Sequence, residues 1–428
     1  MPDQSIGQMF FDRTRTYAST TAFRAKPRPT QDGGSGKTGA YADVSYADAG
    51  ARVAAVAAGL LTVKGGLNKR ACVGILGATS VEWIVADFAA LSIDCLVAPI
   101  YATLLPAEVG YILIDAAVEI VVVDNKKYYD KVKAVVAEGF TFFDKKYERS
   151  QFKVRRYVVI DAAGMTPGDD WESYADLEAR GRTQVAATQA ERDARLAAIK
   201  RSDVATYGYT SGTTGPPKGV IQTHDNWLSI LEVSSELGMF TVSTRESGCF
   251  LFLPLAHSFG RLIEFAGVFH AGPLIISTIE TIPDDLAKSR PGVVPAAPRV
   301  YEKVYARLMA SANDMNPRRK KLFEWALGVG KASIPYRQTN RSLPPLLRVQ
   351  HALADRLVLS KIRQRLGLDR VVTMISGSAP LAPAVHELFV GCGMMLYEGY
   401  GLTETCPALT ANKPGHWKLG TVGQPLKN

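Results

Sequence analysis

Apolar residues in this chain gather into short runs, and between the runs they recur with helical spacing. Ala71 to Leu76, Cys95 to Ile100, Glu119 to Asp124 and Tyr157 to Asp161 read as strands. Tyr46 to Val63, introduced by Val44-Ser45, rich in alanine and closed by Gly65-Gly66, reads as a helix; another runs through Trp83 and Phe88. A second series begins near Val204 and takes in Cys249 to Leu253, Leu274 to Ser277 and Val371 to Ser376. The alanine- and charge-rich stretch Ala186 to Lys200 reads as a helix joining the two series. Short apolar runs alternating with helical patterns predict βαβ units, because parallel strands need a long crossover and a helix supplies it. The expected architecture is α/β: two packed α/β subdomains with mixed, largely parallel sheets. Residues 1–200 would form the first and 201–395 the second, with a loop and the start of an incomplete, β-rich third subdomain in 396–428. No internal repeat is visible.

Composition narrows the class. A chain of 428 residues has room for two or three units with cores of their own. Hydrophobic residues at 47% and charged residues at 21% exclude wholesale disorder. The five cysteines (Cys72, Cys95, Cys249, Cys392, Cys406) are scattered without a CxxC pair, which argues against a disulfide framework or structural zinc. The start, MPDQSIGQMF, lacks the basic and apolar regions of a signal peptide, and Pro99, Pro106 and Glu108 interrupt the apolar stretch from Leu96. A cytoplasmic protein is expected. A net charge of +9 suits a polyanionic ligand or an anionic membrane surface. The charge is dispersed rather than interleaved with aromatics, so no nucleic-acid partner is expected. One dense cluster, Arg318-Arg319-Lys320-Lys321, follows Asn316-Pro317 at an expected helix start. It reads as a solvated helix face, with peripheral contact to the inner face of a membrane, or to a partner, as the alternative.

Two glycine-rich segments invite a phosphate-loop reading. Asp32-Gly33-Gly34-Ser35-Gly36-Lys37-Thr38 ends like a Walker loop, but the first glycine of that motif falls at Gln31 and no strand-to-helix frame surrounds it. A flexible surface hairpin is expected there. Thr206 to Val220, TYGYTSGTTGPPKGV, is different. An apolar run ending at Tyr209 delivers Thr210, Ser211, Gly212, Thr213, Thr214 and Gly215, with Lys218 close behind. Glycines let successive N–H groups point inward as an anion nest; the hydroxyls add neutral donors and Lys218 a mobile positive charge. Gly219 to Thr223 looks like a further strand, so the loop does not open a helix as a Walker loop does. Further on, Val371 to Ile375 enters Ser376-Gly377-Ser378-Ala379-Pro380-Leu381, small residues that let a flat base approach the backbone, before a helix from Ala382 to Val390. In Tyr397-Glu398-Gly399-Tyr400-Gly401-Leu402-Thr403-Glu404-Thr405, Tyr400 offers an aromatic face, Thr403 a hydroxyl and Glu404 a hard oxygen ligand.

With these motifs in this order, the chain resembles the adenylate-forming superfamily, which includes acyl-CoA synthetases, peptide-synthetase adenylation domains and luciferases. TSGTTGPPKG matches its phosphate loop, SGSAPL its adenine-side loop and YEGYGLTET its nucleotide and metal loop. Gly420 to Leu426, GTVGQPL, matches a motif near the end of its large N-terminal domain. The resemblance implies ATP and Mg²⁺, with the metal on Thr210 and Glu404. It places the nucleotide on Thr210 to Gly215, Lys218, Gly377 to Pro380, Glu398 to Gly401 and Thr403, and makes Lys218, His257, Thr403 and Glu404 catalytic. The implied reaction is attack of a carboxylate on the α-phosphate of ATP, giving an acyl-adenylate and pyrophosphate, followed by transfer to a thiol. LPLAHSFGR, APRVYEK and LFEWALGVGKA look like long-chain fatty acyl-CoA synthetases, implying a long-chain fatty acid and CoA as substrates. Trp227, Phe240, Phe250, Phe252, Phe259, Phe265 and Phe269 would then line an alkyl tunnel. A fatty acyl-AMP ligase serving a carrier protein, and a catalytically silent acyl- and nucleotide-binding protein, stand as alternatives. Full members continue with a ribose-binding aspartate, a hinge and a small mobile domain bearing a lysine. The sequence stops at Asn428, so the large domain without its small C-terminal partner is expected. Chain length and oligomeric state are left open.

Overall fold

The structure, a computed structural model, describes residues 3–27, 39–166, 168–210 and 215–427. The expected hairpin at Asp32 to Thr38 and the loop residues Ser211, Gly212, Thr213 and Thr214 lie outside the described residues. The chain forms two compact units, residues 1–231 with 254–271, and residues 232–253 with 272–428.

The first unit opens with a hairpin, β1 (Thr21–Ala25) and β2 (Ala42–Ser45). Its main sheet uses β3 (Cys72–Leu76), β4 (Leu96–Ile100) and β5 (Val118–Asn125). After a small hairpin, β6 (Phe140–Phe142) with β7 (Lys145–Tyr147), come β8 (Arg156–Asp161), β9 (Trp171–Ser173), β10 (Val204–Thr210) and β11 (Lys218–Thr223). The order is β11-β10-β4-β3-β5-β8-β9, parallel throughout except for β11, which turns back on β10. β3 and β4 are buried along their whole length, as strands covered on both faces must be. The helices Tyr46–Leu61 and Val81–Ser92 begin at Ser45 and Ser80, whose Oγ atoms accept the N–H groups of Asp48 and Trp83 at 3.0 and 3.2 Å. The core on one side of the sheet gathers Leu76, Ile100, Val121, Val123, Val132 and Val159.

The second unit holds β12 (Cys249–Leu251), β13 (Leu274–Ile276), β14 (Val293–Ala296), β15 (Thr373–Ser376) and β16 (Leu396–Tyr400), all parallel, in the order β16-β15-β14-β12-β13. Two short antiparallel strands, β17 (Thr410–Ala411) and β18 (Gln424–Pro425), continue the edge beyond β16. Four of its helices, Pro298–Asn313, Pro317–Gln338, Pro345–Ala354 and Pro383–Gly391, start on proline, whose missing N–H costs nothing in the first turn. Pro317–Gln338 and Pro383–Gly391 meet at Gly330 and Gly391; a Cβ on Gly330 would fall 2.5 Å from the Gly391 carbonyl oxygen.

The divisions expected after residues 200 and 395 are not where the compact units part. β10 pairs with β4, so Val204 to Leu231 belong with the first sheet. β16 pairs with β15, so 396–428 begin by extending the second sheet before turning antiparallel. Helix limits also shift: Ala186 to Lys200 contains the helix Gln189–Ala198, preceded by a separate one, Tyr174–Gln184. Among the described residues no helix is long and apolar enough to cross a membrane.

Candidate active site

The segment expected to bind phosphate is flanked by β10 and β11, which pair antiparallel. Tyr209 stands opposite Gly219 and Thr210 opposite Lys218, so the half-buried threonine and the exposed lysine face each other across the base of the loop. β10 lies parallel to β4 with Thr206 opposite Val97. Thr210 ends β10 and Tyr101 directly follows β4, so both stand at the carboxyl-terminal edge where open parallel sheets bind ligands. The hairpin is anchored below: Tyr209 O–H donates to Asp115 Oδ2 at 2.7 Å, and Thr206 O–H donates to the Val97 carbonyl at 2.7 Å. Burial, reinforced by the Asp115 carboxylate, pushes the Tyr209 phenol far above its ordinary range.

His257 caps the helix Ser258–Phe269. The Phe259 N–H donates to His257 Nδ1 at 3.0 Å, so the proton of the neutral ring sits on Nε2. Burial lowers the pKa of His257, which keeps the ring neutral at neutral pH. Its edge meets Tyr101, centroids 6.4 Å apart and planes at 86°. Burial in turn pushes the Tyr101 phenol up to about 12. One turn into the same helix, Arg261 ties this edge together from beneath. Its Nη1 donates to Thr206 Oγ1 at 2.7 Å, and Nη2 reaches both carboxylate oxygens of Asp87 at 2.6 Å. β10, which carries Thr206 and Thr210, and the helix carrying His257 therefore share one buried cation. The rings of Trp83, Trp227 and Phe265 surround that guanidinium, 5.1 to 6.0 Å from Cζ. Glu264, wholly buried beside the pair, is held protonated by burial and by the Asp87 charge.

The residues expected beside the base lie in the second unit. After β15 the chain passes through Gly377, Ser378, Ala379 and Pro380, the last three exposed. Ser378 takes a left-handed backbone with φ of 73°, a strained conformation for serine and typical of functional loops. Ser376 Oγ, at the entry to this turn, is buried without a hydrogen-bond partner among the described residues. The loop is held by Glu398: the Leu381 N–H donates to its Oε1 at 3.1 Å, and His386 Nδ1 lies 3.3 Å from its Oε2. Glu398 is thus a buried anchor of β16, its carboxylate turned to the protein. Next to it Gly399 stands opposite Ala411, and Tyr400 presents a ring that is 48% exposed. Gly401 admits no side chain, since a Cβ there would fall 1.5 Å from the Pro407 carbonyl oxygen. The close approach folds Thr403–Thr405 into a single helical turn with Glu404 exposed. Among the described residues no three His, Cys, Asp or Glu side chains gather as a metal cage.

The structure thus brings Thr210, Lys218 and His257 to one edge of the first unit, and Gly377 to Pro380, Glu398 to Gly401, Thr403 and Glu404 onto two adjacent strand ends of the second. Trp227 and Phe265, expected along an alkyl tunnel, are spent on enclosing Arg261. The sequence reading missed Tyr101, Asp87, Arg261 and His386. Each but His386 had a signal: Tyr101 directly follows an apolar run, while Asp87 and Arg261 are charges set among apolar residues in mainly apolar helices, the pattern of a buried pair.

Comparison with known proteins agrees with this geometry. The family described as AMP-binding enzyme matches residues 10–428. The long-chain-fatty-acid–CoA ligase FadD15 of Mycobacterium bovis is 32% identical over 392 residues, covering 91% of this chain and 60% of the relative, so the chain spans well under two thirds of that protein's length. The anthranilate CoA ligase AuaEII, solved with anthranoyl-AMP, superposes with a TM-score of 0.67 at 17% identity, over 100% of this chain and 65% of that one. The N-terminal domain of FACL13 from Mycobacterium tuberculosis gives 0.59 at 18% identity, over 96% of this chain and 79% of that one. Fold, motif order and the match across nearly the whole sequence agree: the chain belongs to the AMP-binding enzyme family.

Proposed function

We propose that this chain activates a long-chain fatty acid with ATP and passes the acyl group to CoA. The observation that carries the reading is the β10–β11 hairpin, which sets Thr210 and Lys218 across the base of a Ser/Thr/Gly loop on the sheet edge that also bears His257. In this reading a carboxylate oxygen attacks the α-phosphorus, the bond to the β-phosphate oxygen breaks, and pyrophosphate leaves. The thiol of CoA then displaces AMP from the acyl carbon. Lys218 and the loop hydroxyls hold the phosphates and oppose charge building on the phosphorus oxygens, so the protein works by alignment and electrostatics. His257, neutral with its proton on Nε2, donates to an oxygen of the reacting carboxylate or phosphate. Gly377 to Pro380 and the Tyr400 ring flank the base, on a loop that Glu398 holds in place. Thr403 donates to phosphate.

The donor set suits Mg²⁺. Thr210 and Glu404 offer two hard oxygens with one negative charge, and this ion is usually held by one or two carboxylates, substrate phosphates and water rather than by a protein cage. When bound, Mg²⁺ would neutralise phosphate charge. Peripheral membrane contact belongs to the same proposal, since the substrate is a lipid.

The test is direct. Purified protein with ATP, Mg²⁺, CoA and a series of fatty acids should release pyrophosphate and yield acyl-AMP and acyl-CoA by mass spectrometry. Each buried methylene adds up to about 0.8 kcal/mol, so a long-chain acid should outcompete acetate by orders of magnitude. Preference for acetate or an amino acid, or release of ADP in place of pyrophosphate, would refute the proposal.

A further inference from the structure

One helical surface of the second unit is built as an apolar stripe in a basic field. The helix Pro345–Ala354 runs on through the wide turn Asp355–Leu359 into the helix Ser360–Arg365. Along it Leu346, Val349, Leu353 and Leu357 recur at intervals of three, four and four, so they share one face. They are 71%, 60%, 49% and 42% exposed, while the opposite side packs on the helix Pro317–Gln338. Single exposed leucines are ordinary; four branched aliphatics in a row over three turns are not.

The charges around the stripe are one-sided. From Thr339 to Leu366 the chain carries Arg341, Arg348, Arg356, Lys361, Arg363 and Arg365 against one acid, Asp355. That acid is taken by Arg363, Nη1 to Oδ1 at 2.8 Å. The other five cations are exposed and can extend their apolar stems alongside the leucines with the charged ends outermost. The helix packed behind repeats the composition: Arg318, Arg319, Lys320 and Lys321 open it, and Leu322 and Trp325 on it are exposed.

We propose that this face docks in the plane of an anionic lipid bilayer, its aliphatic stripe among the upper acyl chains and its cations on the headgroup phosphates. An amphipathic helix with aliphatic residues on one face and Lys/Arg beside them has the chemistry for that position. Charge decides against a second copy as the occupant: an isologous contact sets the patch on itself, six cations of residues 339–366 against six, and Asp355, the one acid of that stretch, is already held by Arg363. Anionic headgroups supply the missing charge. The inference rests on the surface, and it deepens the proposed function only in that a fatty acid would reach the protein from the same bilayer.

Co-sedimentation with vesicles tests it, without ATP or fatty acid, so that failure here leaves the proposed reaction standing. Protein should bind phosphatidylcholine vesicles containing 30% phosphatidylglycerol at least tenfold better than pure phosphatidylcholine, and binding should fall steeply between 0.1 and 0.5 M NaCl. Exposed charges are screened over roughly this range of salt. Leu346→Glu with Leu353→Glu should lower binding about tenfold or more at an unchanged melting temperature, since both side chains already face outward. Arg348→Ala and Arg356→Ala should each cost about fivefold on anionic vesicles. Equal binding to neutral and anionic vesicles would overturn the proposal, as would full binding by the double Glu variant. So would a dimer in sedimentation velocity that the double Glu variant abolishes while the wild type ignores vesicles.

Discussion

Changing Asp87 to Asn removes the charge that balances Arg261 and keeps the side chain's size. Both partners are out of water, Asp87 at 0% and Arg261 at 1% exposure. An exposed ion pair would contribute at most about 1 kcal/mol. Breaking a buried one costs about 3–5 kcal/mol, because the guanidinium stays desolvated with nothing opposite. Two features hold this case near the lower end. Three aromatic rings within 6.0 Å of Arg261 Cζ offer cation–π attraction, and Glu264, neutral in the wild type, can ionise in place of Asp87. Asp87→Asn alone should therefore cost about 3 kcal/mol at pH 7. At about 2–4 °C per kcal/mol, the first unit should melt about 6–12 °C lower, as read by circular dichroism with urea unfolding as a check. Asp87→Asn combined with Glu264→Gln leaves no acid to respond, so the double variant should be less stable than the sum of the two single effects implies. Strict additivity, or an Asp87→Asn variant within about 1 kcal/mol of wild type, would refute a buried charge balance at this site.

Lys218→Ala should weaken ATP binding about 10- to 150-fold, the weight of a charge-assisted phosphate contact of about 1.5–3 kcal/mol, with calorimetry as the measure; unchanged affinity would remove Lys218 from the phosphate site. Glu404→Gln keeps the shape and deletes the charge, so the Mg²⁺ concentration needed for half-maximal pyrophosphate release should rise; an unshifted titration would mean that Glu404 holds no metal. Glu264→Gln should alter the pH dependence of stability. The folded protein keeps on Glu264 a proton that the unfolded chain releases above about pH 4.5, so wild-type stability falls with rising pH by up to about 1.4 kcal/mol per unit. The variant's advantage should grow between about pH 5 and 7 in urea unfolding, and parallel curves would contradict a buried, protonated Glu264.

The alternation of apolar runs and helical stretches was enough to place β3, β4, β5 and β8 to within a few residues, because a strand covered on both faces has little choice but continuous apolar side chains. The loop chemistry was equally local. Thr210, Lys218 and the small residues after Ser376 stand out in the sequence because contact with phosphate or base, the role proposed for them, needs particular side chains at short spacing, whatever the rest of the fold does. The helix start at Asn316-Pro317 was legible for the same reason: cap and proline act within one turn.

Other features depend on residues far apart in the chain. Nothing near Val204 says that β10 will seek β4, 109 positions away from Thr206 by its hydrogen bond to Val97, so the unit boundary could not be read. Arg261 and Asp87 lie 174 positions apart, and nothing local says that they will pair until the helices carrying them pack together. Glu398 reads as one more carboxylate in a nucleotide motif; only the neighbouring strand and helix turn it inward as an anchor for Leu381. Sequence determined the local periods, caps and loop chemistry, because those act over a few residues. Tertiary structure decided strand order, which aromatics became core, and which charges were buried as pairs, because burial depends on whatever the rest of the chain folds against each side chain.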